Sequence, residues 1–169
     1  MRSDPPTSGP ELLQLTAFLD FLRETVLLKC EGLSAEQLAQ PLPPSSLTLG
    51  GLLNHLALVE DGWFRYAFSG VPRSAPWTEV DWDADPDFEF RTAAELTPDE
   101  LRARYRETIA RSRDVVARAE SLDQLSVRTG NDGRHRDLRW VLIHLIEETA
   151  RHAGHADLLR EAVDGTVGE

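Results

Sequence analysis

Side chains that can ligate a metal or move a proton crowd residues 138–161, LRWVLIHLIEETARHAGHADLLRE, among them His144, Glu147, Glu148, His152, His155 and Asp157. The stretch has no proline and a single glycine, and its apolar residues recur at helical spacing, which predicts one long amphipathic helix. Asp137 is the expected N-cap, and Gly165 lies just past the last apolar position, Val163. At about 100° per residue, Leu138, Val141, Leu142, Leu145, Ala153, Ala156 and Leu159 form one apolar arc. Glu148 and His152 are an i,i+4 pair on one face, with His152 inside the arc and Glu148 at its edge. His144 and His155 lie further out along that edge, and Glu147 points to solvent. An unpaired carboxylate aimed at a core is costly, and a bound cation is one way to offset the cost. Taken alone, this helix also admits plainer accounts: a hydrogen-bonded core histidine, or an intrahelical ion pair.

A second element bears on that choice. Residues 48–68 predict another long helix, with Leu49, Leu52, Leu53, Leu56, Val59, Trp63 and Ala67 on its apolar side. His55 sits at the edge of this arc, as Glu148 does on its own helix. Two facing helices in a bundle would bring His55 to Glu148 and His152 and complete a three-ligand set. Glu60 also looks inward, and its plain alternatives are a buried cap or an ion pair with an arginine.

The remaining segments frame these two. Residues 11–30 predict a first helix with a Leu12, Leu15, Leu19, Leu22, Val26 stripe, stopped by Gly32. Ser34 and Gln37 form a capping box for a short helix before Pro41. Thr97, Pro98 and Glu100 mark a strong start for a third long helix, running to residue 119. Residues 70–91 form a long connection rich in proline, aspartate and aromatics. Its Trp77, Trp82 and Phe88 are expected either to border a pocket as a lid or, for at least two of them, to be packing anchors. The DWDADPD run within it lacks the glycine and bidentate glutamate of a calcium loop. Residues 121–136 form a second long connection, in which Arg134, His135 and Arg136 are solvated charge or an anion contact. Four long helices and no strand signal predict an all-α, four-helix bundle with two long connections.

The formal net charge of −11 and pI near 4.9 argue against a nucleic-acid or anionic-membrane surface, since such binding needs cationic neutralisation. Cys30 is the only cysteine, which fits a reducing cytoplasm, and Lys29 is the only lysine. No hydrophobic signal stretch or membrane-length apolar run is present, and residues 1–9 are expected to be frayed.

These residues carry a resemblance. LGGLLNHLALVEDGWF, followed by WVLIHLIEETARHAGHADLLREAVDG, is similar to the DinB-like superfamily of metal-binding four-helix bundles. The match is closest to the mini-circle protein branch, which includes mycothiol S-transferases, and it spans nearly the whole chain. The resemblance implies one DinB-like domain over 1–169. Its metal would be held by one histidine from the second helix and two i,i+4 ligands on the last, here His55, Glu148 and His152. Many relatives have histidine at the position of Glu148. The His-Glu-His version resembles the zinc site of mycothiol-dependent maleylpyruvate isomerase, whose C-terminal domain has no counterpart in this sequence. The implied function is a metal-dependent thiol S-transferase that conjugates mycothiol or a similar thiol to a small electrophile. The alternatives are a non-enzymatic metal-binding stress or interaction protein and a thiol-dependent isomerase. Three protein ligands leave a position open, where a cation deprotonates an incoming thiol. Zinc is the leading metal, with Ni2+ and Fe2+ also suited to the donor set. His155 and His144 are candidates for proton transfer. The expected partners are a small thiol and an electrophile, with neither nucleic acid nor membrane, and relatives suggest a homodimer.

Overall fold

The computed structural model of the chain describes residues 2–167. Among them the architecture is all-α, with no strand and only an isolated bridge between Leu125 and Asp137. The long helices are α1 (Glu11–Lys29), α3 (Leu49–Glu60), α5 (Pro98–Arg118) and α6 (Leu138–Asp164), with short helices α2 (Ala35–Leu38) and α4 (Phe88–Thr92) in the connections. None of the described helices is long and apolar enough to cross a membrane.

Each long helix after the first begins on a side chain that accepts an otherwise orphaned amide. Thr48 accepts from the Gly51 N–H, Thr97 forms a reciprocal capping box with Glu100, and Asp137 accepts from the Trp140 N–H. Gly165 ends α6 in the left-handed region (φ 77°), where a Cβ would be strained. In the bundle α6 packs along α1 and against α3, and α3 packs along α5. Leucines of α3 (Leu49, Leu52, Leu53, Leu56) and of α6 (Leu138, Leu142, Leu145) fill the core. Cys30 is buried there as well, and Lys29 forms an ion pair with Asp157 at 2.7 Å. At the N-terminus, Arg2 donates to Thr25 Oγ1 at 2.9 Å and lies over the Phe21 ring.

The helix expected over 48–68 changes character midway. α3 is α-helical to Glu60 and continues as a π-helix through Asp61–Phe68. The widening coincides with two adjacent buried acids that turn to different partners. Glu60 takes the Arg23 guanidinium in a fork, Nε to Oε1 and Nη2 to Oε2, both at 2.7 Å. Asp61 accepts from the backbone N–H and hydroxyl of Ser74. Glu60 is therefore one half of a buried ion pair.

The connection 70–91 is folded onto the bundle. Trp77 is 2% exposed in the core, and Phe88 contacts both Trp77 and Trp82 edge-on. Exposing a tryptophan's roughly 200 Å² at about 25 cal/mol per Å² costs about 5 kcal/mol. These aromatics are therefore anchors, and a freely opening lid centred on Trp77 does not fit.

Candidate metal centre

The three sequence-singled donors converge where α3 faces α6. His55, Glu148 and His152 each offer one ligand atom, all within 4.8 Å of one another. Glu148 Oε1 lies 3.3 Å from His55 Nε2 and 3.2 Å from His152 Nε2. Ligands about 2.0–2.1 Å from a tetrahedral zinc ion are themselves about 3.3 Å apart, a spacing that both Glu148 contacts match, while the full donor set spans up to 4.8 Å. The side chains keep 10–19% exposure, which leaves the site reachable from the surface.

Each histidine is also held from behind. His55 Nδ1 lies 3.0 Å from Glu89 Oε1, which fixes the proton on Nδ1 and directs the Nε2 lone pair to the site. Phe90 stacks on the His55 ring at 4.9 Å. Glu89 and Phe90 come from α4, which is pinned by Asn54. That amide donates to the Glu89 carbonyl at 2.7 Å while its oxygen accepts from Arg104. Gly51 allows the approach, since a Cβ there would lie 3.1 Å from the Phe90 ring. His152 Nδ1 lies 3.3 Å from His155 Nδ1, and Glu148 Oε2 takes the Arg151 guanidinium at 3.3 Å.

The electrostatics suit positive charge. Burial alone would lower the His55 pKa, yet the Glu89 and Glu148 carboxylates outweigh it and hold the ring above its ordinary value. Burial pushes Glu148 up, but hydrogen bonds from both histidines and their charge bring it below the usual carboxylate range. His152 is lowered, first by burial and then by the neighbouring His55 charge, against the pull of Glu148.

The structure places the remaining candidates variously. His155 touches His152 as described. His144 is stacked on Trp140 at 5.1 Å and meets Trp63 edge-on at 4.8 Å, one turn from Glu148. Glu147 pairs with Arg151, and Asp157 with Lys29. Glu89, Phe90 and Asn54 escaped the sequence reading. The available signal was Asn54 beside His55 on a buried helix, together with an acid between two phenylalanines in FEF. Glu89→Gln keeps the shape but weakens the hold on His55. It should lower metal affinity about 10–100-fold with the fold unchanged, as loss of an outer partner does. Competition with a chromophoric chelator measures this, and unchanged affinity would remove Glu89 from the site.

A bundle with two histidines and a carboxylate converging between its second and last long helices has the make-up of the DinB-like proteins. A model of the Mycothiol-S-transferase family matches residues 14–165, and the chain belongs to that family. No protein of curated function matches it.

Proposed function

We propose that this protein joins a low-molecular-weight thiol, mycothiol by its family, to a small electrophile at a divalent cation, zinc in the first instance, held by His55, Glu148 and His152. The observation that carries the reading is the convergence of two imidazole nitrogens and Glu148 Oε1 at metal-ligand spacing. A divalent cation in that position would supply the charge that lowers a thiol pKa into the neutral range. Three donors meet there, which favours a catalytic over a closed structural site. The chain's own residues then have separate tasks. Glu89 orients His55, His155 backs His152, Arg151 holds the outer oxygen of Glu148, and Phe90 shields one face of the His55 ring from water. The protein offers no thiol of its own. Burial pushes the Cys30 thiol up to about 12, so the sulfur nucleophile must come from a cosubstrate.

Balanced for a chloromethyl electrophile, the reaction forms a carbon–sulfur bond and breaks carbon–chlorine. Chloride leaves with the electron pair and the thiol proton passes to solvent. The test is conjugation of monochlorobimane with mycothiol, cysteine, glutathione and bacillithiol by metal-loaded and chelated protein. A free thiol with pKa of about 8.5 is only about 1% thiolate at pH 6.5. The metal-dependent share of the rate should therefore grow as pH falls, with mycothiol the preferred thiol. Equal rates with and without metal would overturn the mechanism. No turnover with any thiol would overturn the transferase reading itself.

A further inference from the structure

A second pocket lies beside Trp63, whose ring meets His144 edge-on. A cavity of about 400 Å³ opens between the π-helical end of α3 and the 126–136 connection, lined by Gly62, Trp63, Tyr66, Arg73, Arg128 and Arg136. Three guanidinium groups gathered in one pocket stand out on a chain of net charge −11.

Their partners are unequal. Arg136 pairs with Asp132 at 2.8 Å and lies over Trp140. Arg128 donates to the carbonyls of Tyr66 and Gly70, which are neutral, and lies over the Tyr66 ring at 4.4 Å. Arg73 makes no ion pair among the described residues, and its Nη1 is buried with no hydrogen-bond acceptor. The nearest acid on the helix, Asp61, is turned to Ser74. Arg73 thus carries a charge with no counter-ion among the described residues, and an anion in the pocket would supply one.

The positioning is constructed. Asp61 clasps Ser74 and so fixes the residue next to Arg73. The Arg73 guanidinium lies against Gly62, where a Cβ would come within 2.9 Å of Nη1, and it also faces Tyr66 at 5.1 Å. Opposite, Val127 and Arg128 are tied by their N–H groups to the Phe68 and Ala67 carbonyls. Gly70, in the left-handed region at φ 71°, admits this approach, since its Cβ would meet Val127 at 2.5 Å.

We propose that this pocket binds a planar organic anion of the aromatic carboxylate class. Arg73 and Arg128 would take the carboxylate, while Trp63 and Tyr66 provide the walls for the ring. Gly62 follows His55 by seven residues on the same helical run, so the pocket and the metal donors are set on one element. As the seat of an anionic cosubstrate the pocket rests on the transferase reading. As a binding site it stands on its own residues.

The experiment is calorimetric titration of the full protein with 2-naphthoate and with its neutral shape match, 2-naphthylmethanol. Naphthoate should bind, and the alcohol should bind at least about 10-fold more weakly, the scale of one charge-assisted hydrogen bond. Arg73→Gln should lose naphthoate affinity by a similar factor. Gly62→Ala should do so too, because its methyl group displaces the guanidinium while alanine favours the helix. His55→Ala should bind naphthoate as the parent does, which separates this site from the metal centre. The proposal is overturned if naphthoate does not bind, if the alcohol binds equally, or if Gly62→Ala and Arg73→Gln leave affinity unchanged. Loss of binding in His55→Ala would instead place the anion at the metal donors, and would also overturn it.

Discussion

His55→Ala, Glu148→Ala and His152→Ala will each be purified with little bound metal, whereas the parent will carry close to one equivalent. The three donors sit within 4.8 Å of one another, and two donors from a single helix do not enclose a cation. Removing one should cost more than the about 10–100-fold that follows loss of an outer partner. His155→Ala and His144→Ala provide the contrast. The first removes a contact to His152 and should weaken binding modestly; the second lies among Trp63 and Trp140 and should leave metal content alone. Metal analysis after extensive dialysis settles the matter, and full occupancy in His55→Ala would refute the ligand assignment.

The second large effect concerns stability. Glu60 is 0% exposed and Arg23 is 3% exposed, and each satisfies the other through a two-point fork. Arg23→Ala leaves a carboxylate buried without its counter-charge, which should cost about 3–5 kcal/mol. For a chain of this size the melting temperature should fall by about 10 °C. The double variant Arg23→Met with Glu60→Leu removes both charges and fills the space with apolar atoms. It should recover most of the loss, because the pair repays its own desolvation only while both members are present. Thermal unfolding followed by circular dichroism distinguishes the outcomes. A double variant as unstable as the single would show that packing, rather than charge, is what Arg23 supplies.

The two effects bear on what can be read from a sequence. The long helices were legible because their periodicity and caps are local: Thr48, Thr97 and Asp137 each act within three residues of their own position. The His55, Glu148 and His152 set was legible for a related reason. A polar residue at the edge of an apolar arc is a local anomaly, and helix geometry turns two such anomalies into a meeting point. Glu89 left no such trace. It lies on a five-residue helix too short for periodicity, and its place depends on the hydrogen bond from Asn54 across the fold. The change from α to π at Asp61 was equally hidden, since the apolar spacing of 48–68 fits the α period and the two acids at the change pair with residues of other segments. An arginine partner for Glu60 was among the readings of the sequence. That it is Arg23, inside the stripe of α1, follows only from how α1 lies beside α3. The arginines of the second pocket come from the segments least governed by periodicity, and only the fold assembles them.

The buried position of Cys30 and the Lys29–Asp157 pair have one more consequence. The lone thiol is fully enclosed, and the lone lysine is 6% exposed with its ammonium engaged. A soft electrophile diffusing over the described side chains therefore meets no accessible sulfhydryl and no free amine. On the transferase reading proposed above, this enclosure would keep the protein's own thiol and lysine away from its electrophile. On that reading the reactive sulfur would arrive with the cosubstrate and depart with the product, while the chain's one thiol and one lysine stay enclosed.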